Sequence, residues 1–421
     1  MKIRYLTSKK ASLLLFAALF SSFTFISMTK QCFSSAMAFI VEEGLMTKSQ
    51  TGTIVAVFYL VYGCLQFLGG VLTDKWHPER FITFGFIGAG LCNLAVYFNQ
   101  NYGFVLVMWV LNACSQFAVW PAVFKMISSM LKKEHRTNAL FAITFANPGG
   151  TVINYAVAAL IPRWQYNLLI SAIGLFAFAF IWEIVTHSIK PLLQEEEIEV
   201  AEKPTPKHTH FHHEQDDIHI LSLMFSSGVA LLLLVILVRS IFDNGLKTLI
   251  ATIINESYST VTPAISTALT IIILIMGTVG PVLAHRLYPH YIKNELTALI
   301  AFFLLALPFA ALLLLLGRVH YVAIVIFTSL VVLMTSAAAL FTSYISARFN
   351  KWGKSGTVAG AFNAMTSLGI VVSNFVFTRV AERFNWIVTI ELWIVMLVIS
   401  IILLFIIAKM WKRFLQTKYY H

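Results

Sequence analysis

Apolar stretches separated by short polar segments run along the whole chain of 421 residues. A helix that crosses a bilayer needs about 20 mostly apolar residues, and these stretches reach that length. The pattern therefore predicts an all-α membrane protein built from twelve transmembrane helices. The predicted spans are residues 11–40, 50–73, 81–98, 103–131, 137–161, 164–187, 220–250, 260–284, 296–316, 320–347, 355–378 and 386–408.

The composition agrees with this pattern. Hydrophobic residues make up 58% of the chain, charged residues only 12%, and the mean hydropathy is +0.80. Soluble domains contain about twice that share of charged residues, so a mainly soluble protein is excluded. The four cysteines lie in apolar segments without a CxxC spacing. They are predicted to be buried thiols rather than a disulfide framework or a metal site.

The distribution of basic residues predicts the orientation in the membrane, because cytoplasmic loops are rich in Lys and Arg. An even number of spans puts both termini on one side. If that side is the cytoplasm, the external loops contain only Lys48, Arg163, Arg318, Arg379 and Arg383 of the 30 Lys and Arg residues. We therefore expect a multi-pass protein of the cell (inner or plasma) membrane with cytoplasmic termini. The net charge of +11 reflects this topology and does not indicate nucleic-acid binding.

The basic N-terminus followed by an apolar run is similar to a signal peptide. The run at residues 11–40 is too long for one, and no convincing cleavage site follows it. We interpret it as the first span.

The two halves of the chain repeat each other. GGVLTDKWHP at Gly69–Pro78 aligns without gaps with GPVLAHRLYP at Gly280–Pro289, and each segment follows the second span of its half. Duplicated halves with a site between them are typical of transporters that work by alternating access. The predicted domains are a six-helix half at 1–189, a cytoplasmic linker at 190–219 and a second six-helix half at 220–421.

The linker contains an acidic run, two prolines and a histidine-rich stretch. A solvated, poorly packed segment fits this composition. Metal binding is the alternative that the histidines leave open. They are His208, His210, His212 and His213.

Charged residues interrupt two of the apolar spans. Arg239, Asp243 and Lys247 are spaced by four residues in the seventh span and share one helical face, and Lys30 lies at a similar place in the first span. A charged side chain within the bilayer costs about 2.5–3.5 kcal/mol on insertion scales, so it usually faces a cavity or a partner. We predict that Lys30 and Arg239 face each other across a central cavity and bind an anionic solute. Arg239 and Asp243 also fit an internal ion pair with a structural role, and that alternative stays open.

The segment GGVLTDKWHPER, at residues 69–80, resembles the loop between the second and third spans of the major facilitator superfamily, G-x-L-x-D-[RK]-x-G-[RK]-[RK]. Gly70, Leu72, Asp74 and Lys75 match, while His77–Pro78 replaces the second glycine. The resemblance implies the major facilitator fold. It also implies that Gly70, Asp74 and Lys75 form a conformational latch rather than a substrate site.

Motifs spread over most of the chain resemble the organophosphate:phosphate antiporter family, which includes the glycerol-3-phosphate and hexose-phosphate transporters. Two positions depart from the family, whose span-two lysine aligns with Gln66 and whose span-five histidine aligns with Ala146. The resemblance puts Lys30, Arg239 and Lys125 at basic positions of the family. The matching segments are TKQCFSSAMAFIVEEG (Thr29–Gly44), Tyr62–Gly63, NACSQFAVWPAVFK (Asn112–Lys125), NPGG (Asn147–Gly150), VRSIFD (Val238–Asp243) and GTVAG (Gly356–Gly360).

These features predict a secondary transporter for an anionic, phosphorylated organic solute. Inorganic phosphate is the expected counter-substrate, because closing an empty cavity around two uncompensated cations is unfavourable. Asp243 and Lys247 are predicted to form the coupling charge pair. The predicted substrate-binding residues are Lys30, Arg239, Lys125, Tyr62, Asn147 and Gln66.

Two other functions stay open at this point. One is a proton-coupled carrier or exporter that uses Asp243 or Glu183, and the other is a transporter-like membrane sensor that docks a partner through the linker. An enzyme is not expected, because no nucleophile–base or metal constellation is present in the sequence. We expect a monomer in the lipid bilayer, without a cofactor and without a nucleic-acid partner.

Overall fold

The computed structural model of the protein describes residues 2–6, 8–131, 135, 139, 142–143, 145–161, 163–197, 220–288, 290–316, 320–349 and 355–416. Nearly all of these residues are helical, as the apolar pattern predicts. The histidine-rich part of the predicted linker lies outside the described residues. So do the basic residues Lys132, Lys133 and Arg136, which entered the prediction of orientation.

The helices before the linker follow the order of the predicted spans, and we refer to them as the N-terminal helices. The first span is interrupted at Gln31 and the fourth at Phe117–Ala118. The elements are β1 (Lys2–Leu6), α1 (Lys9–Lys30), α2 (Cys32–Glu42), α3 (Lys48–Lys75), α4 (Pro78–Phe98), α5 (Tyr102–Gln116), α6 (Val119–Met130), α7 (Ala146–Leu160), α8 (Trp164–Ile189) and β2 (Leu193–Glu197), with a 3₁₀ turn at Lys190–Leu192.

The helices after the linker, which we call the C-terminal helices, contain three π-helical turns. These turns lie at Gly245–Leu249, Leu340–Ile345 and Ser373–Phe377. The α-helices are α9 (Ile220–Ser226), α10 (Val229–Asn244), α11 (Ile250–Ser257), α12 (Pro263–Gly277), α13 (Val279–Leu287), α14 (Glu295–Leu316), α15 (His320–Ala339), α16 (Ser346–Arg348), α17 (Ser355–Val372), α18 (Thr378–Arg383) and α19 (Trp386–Gln416).

Ten helical stretches of the described chain are long and apolar enough to cross a membrane. The protein is therefore a multi-pass membrane protein. The other two predicted spans coincide with α3 and α7, which are also helical. The count of twelve spans, the division into two six-helix halves and the cytoplasmic position of both termini remain predictions.

The sequence sets several helix boundaries locally. Thr47 precedes α3, and its side chain and that of Gln50 form a reciprocal capping box. Thr262 accepts a hydrogen bond from the backbone N–H of Ile265 and is followed by Pro263, which has no N–H to leave unpaired at the first helical position. These caps fix where α3 and α12 begin.

The segment predicted to be a latch is not a loop in the structure. α3 continues through Gly70 and Asp74 to Lys75, and α4 begins at Pro78. The helix ends there because Pro78 disfavours helical geometry in the residue before it. The side chains of Gly70, Asp74 and Lys75 lie outside what the structure describes, so their role as a latch stays a prediction.

Equivalent glycines of the repeated segment occupy equivalent places. Gly69 on α3 lies against the backbone of Phe117–Ala118 at the interruption of the fourth span. Gly280 on α13 lies against Thr335 and the backbone of α15. A side chain at either position would separate the two helices, so both glycines allow close helix contact.

A buried polar network joins α2, α7 and α8. The hydroxyl of Ser35 donates to Asn154 Oδ1 at 2.6 Å, and Asn154 Nδ2 lies 3.2 Å from the sulfur of Cys32. The Cys32 sulfur is 2.9 Å from the hydroxyl of Ser171, and Asn167 Nδ2 donates to Ser35 Oγ. These buried side chains satisfy one another's hydrogen bonds, and they hold the first, fifth and sixth spans together.

A two-stranded antiparallel sheet joins the N-terminus to the start of the predicted linker. Its register pairs Lys2 with Glu197 and Leu6 with Leu193. Leu6 is fully buried in an apolar core together with residues of α1, α4, α6 and α8. Residues 193–197 are therefore not a poorly packed segment, because pairing with β1 satisfies their backbone. The sequence of either strand alone does not predict that residues 2–6 pair with residues 193–197.

The two groups of helices contact each other through polar side chains at one end of the bundle, which we call the closed end. Lys48 Nζ lies 2.8 Å from Glu256 Oε2, and the backbone N–H of Ser49 donates to Glu382 Oε2 at 2.7 Å. Two further pairs join the groups there, Asn255 Nδ2 to Glu42 Oε2 at 3.0 Å and Arg379 Nη2 to Thr53 Oγ1 at 2.9 Å.

Replacing Asn154 by leucine is expected to destabilise the fold, because Ser35 and Asn167 lose a buried partner. The expected loss is about 1–3 kcal/mol. It would be measured as a lower apparent melting temperature of the detergent-purified protein, followed by size-exclusion chromatography after heating. Asn363→Leu is the matched control, since Asn363 is exposed. Equal melting temperatures for the two variants would contradict a stabilising role for the network.

Candidate functional site

Lys30 lies where the first span is interrupted. It is the last residue of α1 and only 9% exposed. Its Nζ donates to the hydroxyl of Tyr62 at 3.0 Å and lies 4.2 Å from the centre of the same ring, with Phe23 on a second side at 5.9 Å. No acidic side chain pairs with Lys30 within the described residues. Aromatic rings and one hydroxyl therefore stabilise the ammonium without neutralising it.

Gln31 and Tyr59 extend this arrangement by one helical turn. Gln31 Nε2 donates to the hydroxyl of Tyr59 at 3.2 Å. Tyr59 and Tyr62 are three residues apart on α3, so they present their hydroxyls on one face. The interruption of the first span thus points two neighbouring polar side chains at two tyrosines.

The second charged centre is on the seventh span, where Asp243 lies between two cations. Lys247 Nζ is 2.7 Å from Asp243 Oδ1, and Arg239 Nη1 is 3.5 Å from Asp243 Oδ2. The helical face predicted from the spacing is present, and Asp243 contacts both Arg239 and Lys247 along it. The predicted internal pair of Arg239 and Asp243 is therefore present as a contact, although the distance is long for a hydrogen bond.

Arg239 keeps unused capacity to bind an anion. It is 4% exposed, and its other contact within the described residues is from Nη1 to the carbonyl of Met334 at 3.4 Å. Its Nε is buried and has no hydrogen-bond partner. A buried donor without a partner is costly, so an anion that accepts from this guanidinium would be bound favourably.

Lys247 belongs to the π-helical turn at Gly245–Leu249. Such turns insert one residue into a helix and often occur at functional sites. Gly245 packs against Trp393 so closely that an added Cβ would lie 2.6 Å from the ring. On the other side, the hydroxyl of Tyr155 donates to the carbonyl of Lys247 at 3.2 Å, from α7 of the N-terminal helices.

The two centres together carry an excess of positive charge. Lys30, Arg239 and Lys247 are three cations, and within the described part of the chain Asp243 is the one carboxylate in contact with them, which leaves two positive charges. In a medium of low dielectric constant this excess favours binding of a dianion. Whether Lys30 and Arg239 face each other across one cavity stays a prediction.

The structure separates Lys125, Asn147 and Gln66 from these contacts. Lys125 Nζ donates to the backbone carbonyl of Thr73 near the end of α3. Asn147 is exposed, and its carbonyl accepts from Thr151 within α7. Gln66 is half-buried. Contacts of these three residues with substrate stay predictions.

Sequence reasoning missed three residues of the site. Gln31 and Tyr59 were detectable in principle, because they flank the residues predicted at Lys30 and Tyr62. Tyr155 gave no signal, since one tyrosine in an apolar helix is as typical of packing as of a site.

The sequence model of the Major Facilitator Superfamily matches residues 15–374. The chain belongs to this superfamily. The resemblance of residues 69–80 to the loop of that superfamily is thereby confirmed at the level of the family.

Two curated relatives match part of the chain. The membrane sensor protein UhpC of Escherichia coli (strain K12) is 29% identical over 147 residues, which cover 34% of this chain and 33% of the relative. A probable hexose phosphate transport protein of Chlamydia trachomatis is 25% identical over 171 residues, which cover 40% of this chain and 37% of the relative. The matched segments therefore span about a third of the length of these relatives.

The fold is similar to that of solved transporters over the whole chain. The crystal structure of a bacterial homologue of the human lysosomal transporter Spinster, in an inward-facing and unoccupied conformation, has a TM-score of 0.75 and 12% sequence identity. The similarity covers 97% of this chain and 99% of that structure. It shows the major facilitator fold.

Replacing Asp243 by asparagine is expected to destabilise the protein in the absence of anions. Arg239 and Lys247 would lose the carboxylate between them, at a cost of about 2–4 kcal/mol for an uncompensated buried charge. The apparent melting temperature should fall, and inorganic phosphate should raise it more in this variant than in the wild type. Glu391→Gln is the matched control, because Glu391 is exposed and has no partner within the described residues. A phosphate effect of equal size in Asp243→Asn and wild type would count against a site at these cations.

Proposed function

We propose that this protein exchanges a phosphorylated organic anion for inorganic phosphate across the membrane by alternating access. The observation that carries the proposal is the excess of two positive charges at Lys30, Arg239 and Lys247. A chain of this superfamily that keeps such charges within its spans needs an anionic ligand, because each uncompensated charge in the bilayer is unfavourable. The names of the relatives support a phosphorylated solute.

Each cation has a role that its surroundings suggest. Arg239 presents a planar guanidinium that donates to two phosphate oxygens at once, and its unpartnered Nε is available for this. Lys30 is a point charge that Tyr62 holds in place. Lys247 is the most exposed of the three, with 30% of its side chain accessible, so it is suited to meet the solute first.

Asp243 lowers the positive charge of the empty site enough to stabilise it, but not enough for the empty carrier to cross as readily as the loaded one. It offsets one of the positive charges while no anion is bound, and two remain. The empty site still resists closing around them, whereas a loaded site does not. We therefore propose that loaded carriers cross faster than empty ones, which is the basis of antiport.

The proposed orientation rests on the distribution of basic residues. Lys48, Ser49 and Arg379 of the closed end lie in or next to segments that this distribution assigns to the outside. On this assignment the closed end faces the outside, and we propose that the site is reached from the cytoplasm. Inward release of the solute and capture of phosphate would take place in this state.

A membrane sensor is the second candidate, favoured by the 29% identity to UhpC. A sensor would bind the anion through the same cations and would not need to move it. Binding without uptake distinguishes the sensor from the carrier. A proton-coupled carrier is distinguished by dependence on a pH gradient rather than on internal phosphate.

The test is uptake of labelled organophosphates into proteoliposomes loaded with inorganic phosphate. Wild-type uptake should require internal phosphate, and Lys30→Gln and Arg239→Gln should each lower it about 30-fold or more, since each removes a charge that pairs with the buried anion. Arg163→Gln is the matched control, because Arg163 is an exposed basic residue before α8. Normal uptake in both cation variants would overturn the proposed site.

A further inference from the structure

Tyr155 is a buried residue of α7 that lies between the two groups of helices. It is 1% exposed, and its hydroxyl donates to the carbonyl of Lys247 at 3.2 Å. α7 belongs to the N-terminal helices and Lys247 to the C-terminal helices, so this hydrogen bond joins the groups near the charged centre. The polar contacts of the closed end lie further along the same interface.

The acceptor of this hydrogen bond is part of an unusual backbone segment. The π-helical turn at Gly245–Leu249 contains Lys247, whose Nζ contacts Asp243. Trp393 confines the turn at Gly245, and Tyr155 confines it at Lys247. Holding the Lys247 carbonyl fixes the backbone from which the Lys247 side chain extends. The position of that side chain in turn determines its contact with Asp243.

Tyr155 also lies on a helix that packs against the interruption of the first span. α7 contacts both α1 and α2, the helices that flank Gln31. α2, which follows Gln31, contacts the π-helical turn and α11. α7 therefore lies against the interruption of the first span and, through the hydrogen bond of Tyr155, against the π-helical turn of the seventh.

We infer that Tyr155 is a positioning residue that couples the geometry of Lys247 and Asp243 to closure of the bundle. Its hydrogen bond forms when the two groups of helices meet at the closed end. It must break when they separate, because donor and acceptor belong to different groups. Losing this bond favours the conformation in which the two groups of helices are separated at the closed end. It also leaves the π-helical turn less constrained. The part of the inference that concerns transport rests on the proposed function; the part that concerns closure does not.

The test compares Tyr155→Phe with the wild type by double electron–electron resonance. Spin labels are placed at Leu45 and Thr260, two exposed loop residues of different groups at the closed end. Cys64 and Cys114 are exposed, so the prediction of buried thiols is wrong for these two, and they are replaced by alanine in all samples. The buried Cys32 and Cys92 are kept. The wild type should show mainly the short distance. Tyr155→Phe should raise the ratio of long to short distances about three- to tenfold, as expected for losing one hydrogen bond that is made in only one state.

Tyr166→Phe is the matched control. Tyr166 is a tyrosine of the same group whose hydroxyl makes no hydrogen bond within the described residues. Its distance distribution should equal that of the wild type. Equal distributions for Tyr155→Phe and the wild type would overturn the inference, and so would the same shift in both tyrosine variants.

Exchange kinetics provide a second readout. Tyr155→Phe should raise the KM for phosphate about threefold or more with little change in Vmax. The state that binds phosphate is less populated, and the Lys247 side chain is less well placed because its backbone is no longer held by Tyr155. A fall in Vmax alone would indicate a merely structural role and would contradict positioning. If the protein catalyses no exchange but the distances shift, the proposed function fails and the coupling to closure stands.

A second variant covers the case that Tyr155→Phe does not fold. Tyr155→His retains a ring and an N–H donor in place of the hydroxyl. A distance distribution close to that of the wild type would support dependence on the donor. A distribution dominated by the long distance would contradict it.

Discussion

The structure depends on how a few charges are held within an apolar bundle. Asp243 lies between Arg239 and Lys247, and its two oxygens reach both cations. Without this carboxylate, two cations one helical turn from it would repel each other in a medium that screens them poorly. The remaining positive charge favours binding of an anion.

The same part of the chain is where the helices depart from regular geometry. The first span is interrupted next to Lys30, and the seventh span contains a π-helical turn at Lys247. Irregular backbone within a membrane occurs where it is buried in protein or lines a cavity. The hydroxyl of Tyr62 accepts a hydrogen bond from Lys30, and the hydroxyl of Tyr155 donates one to the carbonyl of Lys247. Aromatic hydroxyls therefore satisfy polar groups of these irregular segments.

The fold and the function are supported by different observations. Similarity to solved transporters at 12% identity shows the architecture and says nothing about the solute, because one fold hosts many functions. The phosphorylated solute is proposed from the charges at Lys30, Arg239 and Lys247 together with the names of relatives that match part of the chain. The closed end adds a second kind of information, since Lys48 with Glu256 and Ser49 with Glu382 hold the two groups of helices together there.

The sequence by itself determined the membrane class, the helical stretches and the face that carries Arg239, Asp243 and Lys247, because hydrophobic length and helical periodicity are local properties. It also carried the match to the superfamily at residues 69–80. Only the tertiary structure decided that Tyr155 meets the carbonyl of Lys247 and that β1 pairs with residues 193–197. Both contacts join residues far apart in the chain, which no local pattern records.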